Sequence, residues 1–306
     1  MGFFENWSDK QDVVPHTQPH AASASPSLKQ KALDALAELP PFPAILTRLI
    51  AAMTGENVSF AVLGDLIEKD AIIAANLLHV VNSALYARRG TINSVRHALS
   101  LLGMDKVRNA VLGMSVTRMW SKVAMPVSWS MARFNLHSSD AAILSDLLAQ
   151  RVAVDYPEGA FVAGLLHDVG RMLIARALPA EHERILALHA SGMPHLDCEQ
   201  QILGWTHPEL SAEALTFWNL PEPISTAVRD HHHLEGEPPQ VFPLSRALGA
   251  ANYYVNSIGA SILPAANPEV SEDTSQLESL GFHDDRLAAM LSEFKAEHDA
   301  MAQFFR

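Results

Sequence analysis

Apolar side chains recur at intervals of three and four residues along most of this 306-residue chain, and this helical period limits its fold more than any other feature. Between residues 46 and 81 the period is carried by Leu46, Leu49, Ile50, Met53, Leu63, Leu66, Ile67, Ile73, Leu77, Val80 and Val81. Residues at this spacing share one face of an α-helix. No segment alternates apolar and polar side chains as a half-buried strand does, and Pro and Gly divide the pattern into short pieces. The sequence therefore predicts an all-α fold with at least about ten helices.

The start of the ordered chain is marked by a capping pattern. Ser27 and Gln30 have the spacing of a capping box, whereas residues 1–26 mix Pro, His, Gln, Ser and Ala without any hydrophobic period. We therefore expect a flexible leader over 1–26. After it we expect an N-terminal helical subdomain over 27–128 and a second helical bundle, with the C-terminal helices, over 129–306.

A helix, turn, helix arrangement is predicted near residue 103. Ser94 is placed to cap the first helix, Gly103 to end it and Asp105 to cap the second. With Lys106 and Arg108 at the start of the second helix, one interpretation is a helix-turn-helix DNA reader. The segment "NAVLGMSVTRM" that follows is too apolar for a hydrated groove, so this interpretation is disfavoured.

Charge and cysteine content restrict the partners and the compartment. The net charge is −12, and residues 126–306 carry 10 Lys/Arg against 24 Asp/Glu, so non-specific binding to nucleic acid or to an anionic membrane is disfavoured. Cys198 is the one cysteine, which fits a reducing compartment, and we expect a cytoplasmic protein. The uncharged segment 247–266 contains Asn, Gly and Pro, so we predict a buried helix and a loop there and no membrane span.

The segment "LLHDVGR" carries the most chemistry. It places His167 beside Asp168 in an apolar helix, with Arg171 one turn later. Imidazole and carboxylate groups together suit a borderline divalent ion. The alternative is that His137 and Asp168 are hydrogen-bonded core residues without a metal. Both interpretations stay open at this point.

Longer segments carry a family resemblance. The segments "LPPFPAILTRLI", "LIEKDAIIAANLLHVVNSALY" and "INSVRHALSLLGMDKVRNAVL" resemble the front half of the HDOD family, the HD-related output domains of bacterial signalling proteins. The segments "LLHDVGR" and "HPELSAEALTFWNLPEPISTAVRDHH" resemble the HD phosphohydrolase superfamily. This resemblance, over roughly residues 39–250, implies two packed helical subdomains.

The resemblance also implies a set of metal ligands. They are His137, the dyad His167 and Asp168, and, by similarity to the two-metal HD-GYP branch, His207, His231 and His232. The final ligand of that pattern is an aspartate, and Asn252 stands there instead, with no Asp or Glu between Glu237 and Glu269. The metal of such a site is a divalent ion such as Fe, Mn, Zn or Ni.

Two further departures bear on activity. Losing a unit charge at contact distance from a divalent ion costs several kcal/mol even at an effective dielectric constant of about 20, so Asn252 implies a weakened site. Arg171 replaces a lysine that often follows the dyad and still offers a cation to a phosphate. After the double histidine there is no Gly-Tyr-Pro, so we do not expect hydrolysis of cyclic di-GMP.

The sequence therefore leads to three alternative functions. The first is a regulatory HDOD protein, non-catalytic or weakly catalytic, that binds a signalling protein or a small effector. The second is a metal-dependent phosphohydrolase in which Asp168 and Arg171 would act in catalysis. The third is the DNA reader discussed above.

Overall fold

The computed structural model describes residues 27–40, 42, 44–53, 59–82, 92–236, 239–263 and 271–302. Within these residues the chain forms sixteen α-helices and one 3₁₀ turn, and it forms no strand. One isolated parallel bridge joins Val154 to Phe242. The predicted all-α fold is confirmed. The leader predicted over 1–26 lies outside the described residues.

Six helices precede residue 121. They are α1 (Leu28–Ala37), α2 (Ala44–Met53), α3 (Phe60–Glu68), α4 (Ala71–Val81), α5 (Val95–Leu102) and α6 (Met104–Trp120). The Ser27 and Ser94 hydroxyls accept hydrogen bonds from the backbone N–H groups of Gln30 and His97, so both predicted caps are confirmed. The cap predicted at Asp105 is wrong. Helix α6 begins one residue earlier, and Asp105 instead pairs with Arg108 in its first turn.

Ten helices follow residue 130. They are α7 (Met131–Ala149), α8 (Ala160–Leu166), α9 (Val169–Ala177), α10 (Pro179–Ala190), α11 (His195–Leu203), α12 (His207–Phe217), α13 (Glu222–Asp230), α14 (Leu244–Ser257), α15 (Ser275–Glu278) and α16 (Asp284–Ala302). The 3₁₀ turn Pro157–Gly159 leads into α8. Proline stands in the first turn of α10, α12 and α13. The N–H groups of the first turn have no partner within the helix, so proline, which lacks this group, costs no hydrogen bond there.

Two glycines allow the helices around the dyad to approach closely. A Cβ atom on Gly164 of α8 would lie 2.5 Å from the Ala142 Cα of α7. A Cβ atom on Gly170 of α9 would lie 2.2 Å from the carbonyl oxygen of His207, which begins α12. Both distances are far below van der Waals contact, so only glycine fits at either crossing. These two crossings place α7 and α12 against the segment that carries His167 and Asp168.

Helix α6 is a core helix. Its buried residues include Val107, Val111, Leu112 and Trp120, and its lysine, Lys106, pairs with Glu293 and Glu297 of α16. A helix buried on this scale has no free face for a DNA groove. The structure therefore gives no support to the helix-turn-helix interpretation.

The hydrophobic core is continuous across residue 129. Trp120 of α6 lies edge-on to Phe134 of α7 and tilted against Trp218, with ring centroids 6.5 and 6.0 Å away. The subdomain division remains a prediction. Helix α14 is largely buried, and among the described helices none has the length and hydropathy needed to span a membrane.

Candidate metal centre

The predicted histidine and aspartate ligands come from four places in the second half of the chain. His137 lies on α7, and His167 and Asp168 occupy the break between α8 and α9. His207 begins α12, and His231 with His232 follows α13. His137, His167, Asp168, His207 and His231 are all at most 2% exposed. The structure thus brings together side chains that are almost a hundred residues apart in the sequence.

Three of the histidines are oriented in the same way. The Nδ1–H group of His137 donates to the Ala260 carbonyl at 2.8 Å, that of His167 to Gly164 at 2.7 Å, and that of His231 to Val228 at 2.6 Å. Because a carbonyl oxygen can only accept, each Nδ1 must carry the proton. In its neutral form, each of these rings therefore presents an unprotonated Nε2 atom. Backbone hydrogen bonds of this kind orient histidines that ligate metals.

The Nε2 atoms of this group face one another. Those of His137 and His167 are 3.2 Å apart, and the Nε2 atom of His231 is buried without a hydrogen-bond partner among the described residues. Two lone pairs at this distance repel unless a proton or a cation lies between them, and a buried acceptor without a partner is costly. The arrangement fits a bound cation.

Asp168 lies at the middle of the cluster. Its Oδ2 atom is 3.4 Å from the Nε2 atoms of both His137 and His167, and its Oδ1 atom is 3.0 Å from the Nε2 atom of His207. The Nε atom of Arg171 lies 3.0 Å from Oδ2. Burial acts to raise the pKa of Asp168. The guanidinium of Arg171, followed by the imidazoles of His167 and His207, outweighs burial and holds that pKa well below its usual range. Asp168 is therefore an ionised carboxylate.

The loop after α14 supplies the Ala260 carbonyl that orients His137. Arg133, one turn before His137 on α7, donates to the carbonyl oxygens of Ser261 at 3.2 Å and Leu263 at 2.9 Å. This holds the end of the loop whose Ala260 carbonyl orients His137. The contact spans more than a hundred residues, and no sequence pattern points to it.

Burial keeps most of these imidazoles neutral. It lowers the pKa of His167 to about 4 and holds the pKa of His231 and of His232 well below the ordinary value of 6.5. His207 differs, because the carboxylates of Glu199 and Asp168 outweigh burial and raise its pKa. The neutral imidazole is the form that binds a metal.

Sequence reasoning missed two members of the site. Glu199, on α11, is 1% exposed, and one of its oxygens accepts hydrogen bonds from both the backbone N–H and the Nδ1–H of His207, each at 2.7 Å. His195 Nδ1 lies 3.1 Å from the other oxygen of Glu199. The segment "HLDCEQQ" has the composition of a polar helix, and its position six to twelve residues before His207 was the one available signal.

Asn252 lies on the His232 side of the cluster. It is 3% exposed, its Oδ1 atom accepts from the Asn256 amide at 2.8 Å, and it lines a cavity of about 370 Å³ together with His232. The Nε2 atom of His232 is 3.3 Å from that of His207. Asn252 thus offers a neutral oxygen where a carboxylate would stand in the pattern that the chain resembles.

A second cavity opens on the cluster from the other side of Asn256. It has a volume of about 290 Å³, and Asp168, Arg171 and His195 form part of its lining. A cation and an imidazole at the entrance favour a small anionic ligand. His233 and Cys198 take no part, since His233 is 82% exposed and Cys198 is a buried packing residue.

An all-helical fold with a histidine and aspartate cluster between its helices defines the class of HD-related domains. A model of the HDOD domain matches residues 39–234 of this chain. The protein belongs to the HDOD family.

The sequence is also similar to part of a longer protein. A protein of Treponema pallidum (strain Nichols) is 24% identical over 233 residues, which make up 72% of this chain but 42% of that protein. The chain thus spans less than half the length of that relative.

Solved structures show the same fold. An HDOD domain protein of unknown function from Geobacter sulfurreducens has a TM-score of 0.71 and 23% identity, over 90% of this chain and 96% of its own. A candidate phosphohydrolase from Shewanella amazonensis SB2B has a TM-score of 0.67 and 22% identity, over 90% and 98%. A candidate signal-transduction protein from Marinobacter aquaeolei VT8 has a TM-score of 0.67 and 22% identity, over 93% and 62%.

Proposed function

We propose that this protein is a regulatory HDOD protein that binds a divalent metal ion in its histidine cluster, and that a signalling protein or a small effector recognises the metal-bound form. One observation carries the proposal. The Nδ1 atoms of His137, His167 and His231 all bond to backbone carbonyls. The buried Nε2 atoms of His137 and His167 then face each other at 3.2 Å, and that of His231 has no hydrogen-bond partner among the described residues. In a core without a metal ion, buried imidazole nitrogens placed in this way would lower the stability of the fold.

The donor set indicates which ions fit. His137, His167 and Asp168 form one group of ligand atoms within 4.8 Å of one another, and His207, His231 and His232 form a second. Imidazole nitrogens with one carboxylate suit Zn, Fe, Ni or Mn better than Ca or Mg. When bound, such an ion would supply Lewis acidity and positive charge at the inner end of the cavity lined by Arg171.

The charge of the site favours regulation over hydrolysis. Arg171 Nε is 3.0 Å from Asp168, so the one carboxylate of the proposed ligand set is already paired with a cation. Asn252 adds no second negative charge. Both features lower the affinity for a divalent ion relative to a site with two free carboxylates. A weakly held ion suits a sensor better than a catalyst that must stay loaded.

A metal-dependent phosphohydrolase is the second candidate. The observation that favours it is the cavity of about 290 Å³ in which Asp168 and Arg171 lie side by side. In that role Arg171 would bind and orient a phosphate oxygen, and Asp168 would help to hold the ion. The cavity excludes bulk water only partly, because exposed Asn256 forms part of its wall.

Calorimetric titration of Zn²⁺ and Mn²⁺ into chelator-treated protein tests the proposal. We expect binding to the unmodified protein, loss of at least tenfold in affinity in His167→Ala, and no change in His97→Ala, which alters an exposed histidine of α5. Equal affinity in all three proteins would refute a metal site at this cluster.

An activity measurement separates the two candidates. Turnover of a chromogenic phosphodiester by the Mn²⁺-loaded protein that disappears in His167→Ala would favour the hydrolase. Metal binding without turnover favours the regulatory function. The Zn²⁺-loaded and Mn²⁺-loaded proteins should be assayed in parallel, since ions differ in how readily they keep an open coordination position.

A further inference from the structure

Five charged or titratable side chains form a closed ring beside the proposed metal ligands. Arg171 Nε lies 3.0 Å from Asp168 Oδ2, and Asp168 Oδ1 lies 3.0 Å from His207 Nε2. His207 Nδ1 lies 2.7 Å from Glu199 Oε2, and Glu199 Oε1 lies 3.1 Å from His195 Nδ1. The ring closes where His195 Nδ1 lies 3.2 Å from Arg171 Nη1. Glu199 and His195 are the members of this ring that no family pattern pointed to.

Burying the Glu199 carboxylate costs free energy unless polar groups replace its solvent. The side chain is 1% exposed, and taking a carboxylate out of water costs several kcal/mol unless hydrogen bonds and charges replace the solvent. Polar groups replace that solvent here, because Oε2 accepts hydrogen bonds from the backbone N–H and the Nδ1–H of His207, each at 2.7 Å, and Oε1 lies 3.1 Å from His195 Nδ1. Glu199 is therefore held inside the cluster by His207 and His195.

Glu199 determines which nitrogen of His207 faces the site. Because Oε2 accepts from both the backbone N–H and the Nδ1–H of His207, the ring cannot rotate without losing a hydrogen bond. The Nε2 atom is left pointing at Asp168 Oδ1, 3.0 Å away, and at His232 Nε2, 3.3 Å away. A carboxylate on the far nitrogen of a histidine also makes the near nitrogen a better ligand.

We propose that Glu199 is a positioning residue of the metal centre, which fixes His207 with Nε2 toward the ion. This inference rests on the proposed metal binding. It assigns a role to a residue outside the ligand set. In this proposal Glu199 acts through His207 and not as a ligand, since its Oε2 atom accepts from His207 Nδ1 and its Oε1 atom lies 3.1 Å from His195 Nδ1.

The test compares two single-charge substitutions. Glu199→Gln keeps the size of the side chain but removes the charge, and Glu209→Gln removes the same charge from an exposed position two residues after His207. We expect Zn²⁺ affinity, measured by competition with a chromogenic chelator, to fall about 10- to 100-fold in Glu199→Gln and to stay unchanged in Glu209→Gln. Glu199→Asp should retain more affinity than Glu199→Gln, because the carboxylate remains.

A second measurement needs no variant. In Zn²⁺-loaded unmodified protein labelled with ¹⁵N, the inference requires His207 to carry its proton on Nδ1 and the ion on Nε2, which differ in chemical shift. A proton on Nε2 would overturn the inference even if Glu199→Gln failed to fold.

The failures of the two proposals differ. If unmodified protein binds no Zn²⁺, the proposed function fails. If it binds Zn²⁺ and Glu199→Gln, folded by circular dichroism, binds it equally well, only the role of Glu199 fails. If Glu209→Gln weakens binding as much as Glu199→Gln, the effect is long-range charge, and the positioning role is overturned.

Discussion

Replacing Gly170 by Ala tests whether the crossing of α9 and α12 holds the site together. The added Cβ atom would lie 2.2 Å from the His207 carbonyl oxygen and 2.8 Å from the Ser211 hydroxyl. A carbon and an oxygen normally approach to roughly 3.3 Å, so α12 must move by about 1 Å. That movement also stretches the hydrogen bond of 2.8 Å from the Gly170 N–H to Ser211.

The cost follows from these contacts. Overpacking of a core of this kind costs about 1–3 kcal/mol, and a buried N–H group left without its acceptor costs about 1–3 kcal/mol. Alanine returns about 1 kcal/mol through its higher helix propensity. We therefore expect a net loss of about 3 kcal/mol in the free energy of unfolding and, at about 2–4 °C per kcal/mol, a fall in Tm of about 6–12 °C.

A second glycine provides the matched control. A Cβ atom on Gly64, in the middle of α3, would meet Leu99 Cδ1 at 3.4 Å and Arg96 Cγ at 3.7 Å, which are ordinary contacts. Gly64→Ala should therefore leave Tm unchanged or raise it by a few degrees, about 1 kcal/mol of helix propensity being the upper limit. Thermal unfolding followed by circular dichroism, without added metal, measures both.

The same variant also tests the link between fold and site. A shift of α12 by about 1 Å carries His207 away from Asp168. Folded Gly170→Ala should therefore bind Zn²⁺ more weakly, whereas Gly64→Ala should not. A Tm of Gly170→Ala within about 2 °C of the unmodified protein would refute the reasoning, since it would mean that the crossing relaxes without cost.

Three other substitutions give further expectations. Asn252→Asp restores a carboxylate beside His232 and should tighten Mn²⁺ or Zn²⁺ binding at least about tenfold, measured by calorimetry against His167→Ala; equal affinities would show that residue 252 does not reach the ion. Burial raises the pKa of Asp146 from 3.8 to about 6. Ionisation of this side chain therefore lowers the free energy of unfolding, progressively from pH 3.8 to pH 6 and by its full amount above pH 6. Asp146→Asn should therefore be more stable than the unmodified protein by about 1–2 kcal/mol at pH 7.5, a gain that urea titrations should find lost near pH 4. The Asn82 side chain bonds the Leu78 carbonyl and both backbone groups of Ile92, so Asn82→Ala should cost about 2 kcal/mol in the same urea assay, and a loss below about 0.5 kcal/mol would contradict that role.

Local features of the fold were predictable. The helical period, the Ser27 and Ser94 caps and the turn at Gly103 depend on residues within a few positions of one another, and all appear in the structure. The burial of α14 from Ala247 onward also follows from the absence of charged side chains in that part of the helix. The Asp105 cap was wrong because Met104 already continues the helix beyond Gly103, which leaves the carboxylate inside the first turn.

The candidate site was predictable only in part. His167 and Asp168 are adjacent in the sequence, and the other histidines of the cluster were reached through a family resemblance and not through spacing. Glu199 was missed because nothing in a polar helix distinguishes a carboxylate that faces solvent from one that faces a buried histidine. The Ala260 carbonyl was missed because backbone groups carry no sequence signal at all.

The sequence by itself determined that this chain is helical and where several of its helices begin or end, because those properties arise from neighbours along the chain. The tertiary structure decided which nitrogen each histidine presents and which carboxylates lie within reach. Those outcomes depend on helix crossings such as the one at Gly170, where the backbones approach so closely that a Cβ atom would lie 2.2 Å from the His207 carbonyl oxygen. Packing of this kind is a property of the whole core, because the position of each helix depends on the positions of all the helices that it contacts.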